Sequence, residues 1–556
     1  MIMAENNLMK KSTRSPIIGI LTHKEREEGG KIIIAGLCVV TMQGSRELLD
    51  TYRIRIDIPV KENAAEIKFG SRYGRKLPRG GSINQYEISI DREEARSFDI
   101  QNKLIVRYDG LEGRILYSAY DLKKGHNRNS RVFVKDGIAM YFRQSKYNSL
   151  TFTVRDANRY DYPEEQERIR RAYRKSLTAK KKRVAHGREG LDRSGEPILM
   201  YEKNCSRYEE SASVLYEKLI DAGYDNVYYV VNEDNPEIKD LPEKYRRNLV
   251  WKDSDRHLEL IFESDTYIAT ESTEHALQLR IANKLVMDKI KSRDLRYVFL
   301  QHGVMYMVSL NSEMRTGFRN AGMRLQRTVV SSELEAEHFI ELAGMKREDL
   351  YITGLAKFDN SYRHEGADRI VIMLTWRRWE SNQARDDLRD TGYYRMTERI
   401  FNAVPAELRD KVIILPHPLM ADRFAEVSSD MGGHIVTGQS YDRILRDTDL
   451  LITDYSSIAY DAFYRGANVI FCWDEKDECM EHYGEGTYLM LNEDNVFGDV
   501  CMSSEEITEA VRRNYRQPQS ERNTARYSKI VEFRDGKNSE RIIEHLIKDG
   551  LLERRH

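Results

Sequence analysis

The sequence has no excess of either charge. Its 556 residues carry 89 basic and 90 acidic side chains, a net charge of −1. A chain so balanced lacks the basic footprint of a nucleic-acid binder, and no nucleic-acid partner is expected. Cysteines are few: Cys38, Cys205, Cys472, Cys479 and Cys501 are scattered, odd in number and without close pairs. This excludes a disulfide framework and a cysteine-based zinc site, and points to a reducing compartment. Long hydrophobic runs are absent as well. The best, Ile32 to Met42, is too short for a membrane span and contains Gly36 and Thr41. Lys10, Lys11 and Arg14 lead to the charged run Lys24-Glu25-Arg26-Glu27-Glu28 without a convincing signal peptide, so a cytoplasmic location is expected. No HExxH, EF-hand loop, internal repeat or long low-complexity segment is found. An Asp-x-Asp, Asp447-Thr448-Asp449, reads as a helix end entering a strand.

What is present falls into four stretches. Residues 1–162 hold short β-rich runs: Ile32–Val40, Thr51–Ile58, Gln85–Ile90, Lys103–Tyr108, Arg114–Tyr120, Arg131–Val134 and Ser149–Val154. Turn signals such as Gly29-Gly30, Gly80-Gly81 and Asp109-Gly110 separate many of them, which predicts an immunoglobulin-like β-sandwich without visible chemistry of its own. Residues 163–190 read as a basic helical linker with Arg168, Arg170, Arg171, Arg174, Lys175 and Lys180-Lys181-Lys182-Arg183. Such a helix is either a solvated connector or a contact for an anionic membrane surface, where each basic residue adds roughly a kcal/mol. From 191 to 362 and again from 363 to 556, strands and helices alternate. Ile198–Tyr201, Val227–Val231, Leu249–Trp251, Thr266–Ala269 and Tyr297–Leu300 form the first set of strands, with helices at Glu209–Ala222 and Leu334–Ala343. Ile370–Leu374, Val412–Leu415, His434–Val436, Leu450–Ile452 and Val469–Phe471 form the second. Two such sets predict an α/β protein with two Rossmann-like domains facing a cleft, the arrangement called GT-B. Ligands in such sheets sit at the carboxyl ends of the strands.

Several motifs fall at those ends. Leu450–Thr453 followed by Asp454-Tyr455-Ser456-Ser457 reads as a buried strand leading to a helix opened by two serines. Hydroxyls and unpaired amides there suit phosphate, although an ordinary serine cap has the same spelling. His302 follows an apolar strand and precedes Gly303, which lets the backbone pass close to a ligand. Its imidazole can take a proton from an attacking hydroxyl, or it is a buried histidine bonded to a carbonyl. His417 is held between Pro416 and Pro418 and can donate to a phosphate oxygen. Arg377 follows Thr375-Trp376, and its planar fork suits phosphate. Lys357 in Gly354-Leu-Ala-Lys-Phe-Asp359 adds positive charge or is a solvated loop residue, and Arg541 in Asp535-Gly-Lys-Asn-Ser-Glu-Arg541 faces phosphate or pairs with Glu540 or Glu544.

Taken in order with Gln301-His302-Gly303, Val329-Val330-Ser331-Ser332, Val469-Ile470-Phe471 and Asp474, these motifs resemble the CDP-glycerol glycerophosphotransferase family, enzymes that prime and polymerise wall teichoic acid. The resemblance runs from about Ile198 to the C-terminus. It implies transfer of polyol phosphate from CDP-glycerol or CDP-ribitol to a lipid-linked polyol-phosphate acceptor, with CMP released. It places His302 as general base in the acceptor-side domain, and His417 as a second catalytic group. Arg377, Ser456, Ser457 and Arg541 fall at donor-phosphate positions, and Gly303, Lys357 and Asp454 at loop contacts. No resident cofactor is implied, Mg²⁺ accompanying the nucleotide at most, and the enzyme would be peripheral on the inner face of the plasma membrane. A β-rich N-terminal domain also occurs in some larger teichoic-acid polymerases of this kind.

The sequence departs from the family at two places. Lys357 stands where a Pro-Arg pair is common, and the apolar Val304-Met305-Tyr306-Met307-Val308 replaces a Thr-Pro-Leu-Lys loop expected to face the acceptor. Two alternatives remain at this level. One is a GT-B glycosyltransferase using a nucleotide-sugar, with Glu475, Asp477 and Glu478 binding hydroxyls; the other is a non-catalytic binder of an envelope polymer.

Overall fold

Short apolar runs, the central ones buried along nearly their whole length, build the C-terminal two thirds of the chain. Strands covered on both faces need no polar side, so they read as continuous apolar stretches. In the computed structural model, which describes residues 14–555 except 60, 62–63, 79, 99, 118–119, 122–125, 128–130, 145–147, 186–195, 279–280, 293, 311–326, 381–386, 418–423, 425–430 and 485, these runs form two wholly parallel sheets. The first has the order Leu249–Trp251, Val227–Val231, Ile198–Tyr201, Thr266–Ala269, Arg296–Phe299, Arg327–Val330, Leu350–Ile352. The second has the order Val412–Ile414, Arg369–Ile372, Thr448–Thr453, Asn468–Cys472, Asp499–Cys501. Together they make the GT-B arrangement. His434–Val436, expected as a strand, contributes only an isolated bridge of Ile435 to Ile414. Asp499–Cys501 supplies the edge strand instead, beside Asn468–Cys472.

The chain divides into two compact units, and the α/β unit is one of them. The other comprises the residues up to Lys175 and the segment 280–292, whose helix is Lys284–Ile290. This unit is β-rich. A seven-stranded sheet orders Arg55–Asp57, Ile105–Tyr108, Leu111–Leu116, Ser15–Glu28, Lys31–Gln43, Ser82–Asp91 and Ala65–Lys76. A four-stranded sheet orders Phe133–Lys135, Ile138–Gln144, Leu150–Asp156 and Gln101–Lys103. Ile34 and Ile88 of the first sheet share one core with Phe142 and Phe152 of the second. The apolar run Ile32 to Met42 is thus a sheet strand.

The basic helix runs Pro163–Ala185; the rest of the expected linker lies outside the described residues. Its sequence neutralises part of its own charge. Arg168 pairs with Glu165 at 2.8 Å, and Arg170 and Arg174 pair with Glu167 at 2.6 and 2.9 Å. Lys180 meets Asp265 at 2.7 Å, while Ile169 and Ala172 are buried. Among the described residues no helix is long and apolar enough to cross a membrane.

The last helix, Asn538–Lys548, returns to the first sheet although its sequence follows the second. Asp359 accepts from the amides of Asn538 at 2.8 Å and Ser539 at 2.7 Å, and the Asn538 side chain donates to the Leu355 carbonyl at 3.0 Å. Gly354 sits at φ +80°, where a Cβ would lie 2.5 Å from the Asn538 amide oxygen. Further along, Tyr351 stacks on His545 at 4.5 Å and donates to Asp549 at 2.6 Å. The motifs 354–359 and 535–541 are therefore two halves of one structural joint. Replacing a cap of this kind costs about 1–2 kcal/mol. Asp359→Ala is expected to destabilise the protein by that amount in urea unfolding, and Asp359→Asn by less.

Candidate active site

The two sheets face each other across a cleft of about 1280 Å³. His302, Lys357, His417, Ser456 and Ser457 all line it, with Lys203, Glu209, Glu210, Glu271, Thr375, Trp376, Tyr441 and Asp461. Each sequence-marked side chain arrives from the carboxyl end of a buried strand, as open α/β sheets require.

The His302 turn is built on a strained residue. Gln301 has φ +59°, is wholly buried, and donates its side-chain amide to the Val329 carbonyl at 2.6 Å. That anchor turns the chain so that His302 emerges exposed in the cleft. Gly303 then passes close to the other half: a Cβ there would lie 3.1 Å from the Ser457 hydroxyl. Lys357 joins the same place. Its ammonium donates to the His302 carbonyl at 3.0 Å and pairs with Asp461 at 2.6 Å, both side chains being about nine-tenths buried. One cation thus ties the acceptor-side turn to the helix that begins after Ser457.

On the facing side, Thr448–Thr453 is buried throughout and ends at Asp454. Burial pushes the Asp454 carboxyl up, and bonds from the Thr375 amide at 2.9 Å and hydroxyl at 2.9 Å oppose this. Asp454 therefore clamps the Thr375–Trp376 loop from beneath and does not line the cleft. Ser457 caps the helix Ile458–Tyr464 in backbone position, but its hydroxyl makes no capping bond; the Ser456 hydroxyl accepts only a long 3.5 Å bond from Ile458. Both serines line the cleft. His417 is fixed through its own amide, which donates to the Tyr393 hydroxyl at 2.9 Å. Tyr393 is buried and packs edge-on against Trp376. Pro418 lies outside the described residues.

Two arginines expected at phosphate lie elsewhere. Arg377 is buried outside the cleft lining, with its guanidinium on Glu475 and, at 3.6 Å, Glu380. Arg541 stacks over Phe533 and pairs through both terminal nitrogens with Asp535, again outside the lining. The segment Val304–Val308, expected to face an acceptor, is instead core. Val304, Tyr306, Met307 and Val308 are buried, and the Met307 carbonyl accepts from the Met490 amide at 2.8 Å. Hydrophobic burial explains the missing lysine: a charge in that segment would have no water.

The sequence reading missed the wall formed by Lys203–Glu210 and Glu271. Lys203, Asn204 and Cys205 all have positive φ, at +43°, +57° and +57°. Lys203 pairs with Glu209 at 2.6 Å and Glu210 at 3.0 Å. Position alone was the available signal, since Glu202–Cys205 follows strand Ile198–Tyr201 and Glu271 follows Thr266–Ala269. Asp447 and Asp449 of the Asp-x-Asp pair with His364 at 2.8 Å and Arg363 at 3.2 Å. Among the described residues no group of three or more His, Cys, Asp or Glu is arranged to hold a metal.

Two parallel α/β sheets that face each other across one cleft define a GT-B-type fold. Residues 191–548 match the family model described as CDP-Glycerol:Poly(glycerophosphate) glycerophosphotransferase, and the chain belongs to that family. It is 23% identical over 423 residues to the minor teichoic acid biosynthesis protein GgaB of Bacillus subtilis (strain 168), covering 72% of this chain and 44% of that protein. The chain thus spans less than half the length of that relative. A structure of the wall teichoic acid polymerase TagF is 16% identical with a TM-score of 0.46, covering 70% of this chain and 99% of that one. A UDP-GlcNAc 2-epimerase from Methanocaldococcus jannaschii is 15% identical with a TM-score of 0.36, covering 63% and 99%.

Removing one partner of a buried ion pair strands the other charge, a loss of about 3 kcal/mol or more. Lys357→Met should therefore destabilise the protein by that order in urea unfolding. Asp461→Asn in the Lys357→Met background should recover part of it, and independent additive losses would contradict the tie.

Proposed function

We propose that this protein transfers polyol phosphate from a CDP-polyol, CDP-glycerol or CDP-ribitol, to a hydroxyl of a lipid-linked teichoic-acid-type acceptor. The observation that carries this reading is the meeting of His302 with Ser456, Ser457 and His417 over one cleft in a member of this family. The diphosphate lies against the two serine hydroxyls and His417. The acceptor hydroxyl lies on the His302 side. His302 takes the proton of that hydroxyl as its oxygen bonds the β-phosphorus, and the bond from that phosphorus to the bridging oxygen breaks. CMP leaves with the electron pair. Such phosphoryl transfer needs chiefly positioning and charge stabilisation, which fixed side chains provide. Lys357, beside both Ser457 and the His302 carbonyl, adds positive charge where the β-phosphate would sit. No resident metal or cofactor is assigned; Mg²⁺ would enter only with the nucleotide.

Transfer of a sugar is the weaker reading. Glu475, one of the carboxylates it would use, is committed to Arg377, and Asp474 beside it to Arg399 at 2.7 Å. A peripheral position at the inner membrane face follows from the acceptor chemistry rather than from the basic helix, three of whose arginines are paired within it.

The test is CMP release from CDP-glycerol and from CDP-ribitol, each with a synthetic lipid-linked glycerol-phosphate acceptor. Acceptor-dependent CMP from one donor is expected, falling by about 10²–10⁴-fold in His302→Ala with nucleotide affinity retained. Consumption of a nucleotide-sugar with no CMP from either donor would overturn the reading.

A further inference from the structure

Glu271 leaves the strand next to the one that carries His302. Thr266–Ala269 and Arg296–Phe299 are parallel neighbours with Ala269 opposite Phe299, and the Leu300 amide donates to the Ala269 carbonyl at 2.8 Å. Two residues beyond this register lie Glu271 on one strand and Gln301-His302 on the other, and both Glu271 and His302 line the cleft. The Glu271 carboxylate is fixed there. One of its oxygens accepts from the Asn204 amide at 2.6 Å and lies 2.7 Å from Nδ1 of His275. The Asn204 amide is aimed by the run of left-handed residues Lys203–Cys205, a conformation that persists only where surroundings impose it. The turn that carries Glu271 is pinned as well: Tyr201 donates to the Ser272 carbonyl at 3.0 Å and Tyr297 to the Glu271 carbonyl.

From this geometry we infer that Glu271 is a positioning residue whose fixed negative charge stabilises the imidazolium that His302 becomes when it takes the acceptor proton. The inference rests on His302 acting as the base. Burial pushes the Glu271 carboxyl up, but His275, the Asn204 amide and the His302 charge together hold it below the usual carboxylate range, so it is ionised where the enzyme works. Interaction is reciprocal, so the same charge raises the basicity of His302. The other charged groups around His302 are His275 on the Glu271 turn, Lys203 and Glu209 on the left-handed wall, and Lys357 with Asp461 at its carbonyl. Glu271→Gln removes the Glu271 charge, leaves those groups in place and keeps the side chain's shape.

Two measurements test this. The first is the pH dependence of CMP release from CDP-glycerol with the synthetic lipid-linked acceptor. Without the Glu271 charge, His302 loses its proton at lower pH. In Glu271→Gln the acid limb should therefore move down by about one pH unit, with a plateau about tenfold lower and an unchanged donor KM. Glu271→Asp, which keeps the charge, should hold the limb near its wild-type position. A limb unmoved in Glu271→Gln would overturn the inference. The second is an NMR titration of the His302 ring, identified by its loss in His302→Ala. In the wild-type protein the ring should titrate above the ordinary value of about 6.5, and lower in Glu271→Gln. A wild-type value at or below 6.5 overturns the inference even if the Gln variant does not fold. This titration needs no turnover, so failure of the transferase reading stays distinguishable from failure of the Glu271–His302 coupling.

Discussion

A single buried ammonium group bridges the two halves of the α/β unit at the cleft. Lys357 reaches Asp461 and the His302 carbonyl together, beside the point where Gly303 passes the Ser457 hydroxyl. Without that cation, the Asp461 carboxylate would keep only the more distant Arg465 guanidinium at 3.9 Å and would lose its tie to the His302 turn. Arginine would bring a wider, planar fork to the same place, whereas lysine concentrates its charge at one point. A point charge suits a junction with two acceptors approaching from different elements. The departure at residue 357 therefore keeps the function that matters locally, which is neutralisation at a close approach. The His302 turn and the helix Ile458–Tyr464 are set against each other by the protein's own groups.

The motifs that run together through the C-terminal two thirds divide by physical role. His302, His417, Ser456 and Ser457 are at the cleft. Asp359, Asn538 and Ser539 make a helix cap that brings the end of the chain back to the first sheet. Arg377 with Glu475 and Asp454 with Thr375 hold the loops after two neighbouring strands from below. Structure-holding pairs of this sort are as residue-specific as a ligand contact, because a lost partner leaves a buried charge or amide unsatisfied. Specificity of sequence therefore does not separate a residue that touches substrate from one that holds the floor.

Much of the fold was legible because its central strands are apolar end to end. Ile198–Tyr201, Val227–Val231 and Thr266–Ala269 read directly, and so did the amphipathic helix that begins near Glu333. The strand Ser15–Glu28 did not, because its second half, His23–Glu28, is charged and half-exposed, so no alternation survives there. Asp499–Cys501 is too short to carry a pattern, and His434–Val436 is apolar only at its end. At the site, the histidines and serines were legible from their place after strands. The partners of Arg377 and Arg541 were not, since Glu475 lies 98 residues from Arg377 in sequence, and nothing local marks which carboxylate an arginine will meet. Glu271 was missed for the opposite reason: within Thr270-Glu271-Ser272-Thr273 it is spelled like any polar turn.

Backbone strain shows which part of the cleft is held most firmly. Gln301 and the run Lys203–Cys205 are non-glycine residues in the left-handed region, and such residues cost of order 1–3 kcal/mol each. They lie at the carboxyl ends of two strands of the same sheet, on either side of Thr266–Ala269. Each is held by named bonds: buried Gln301 by Val329, Asn204 by Glu271, and Lys203 by Glu209 and Glu210. Ser457, across the cleft, has ordinary helical backbone angles and its hydroxyl makes no capping bond. Backbone strain is thus concentrated around His302, the base in the proposed transfer. A nucleotide diphosphate brings several charged oxygens and can organise hydroxyls and amides around itself. A neutral acceptor hydroxyl brings little binding energy at the reacting atom, so the group that must deprotonate it has to be placed by the protein alone.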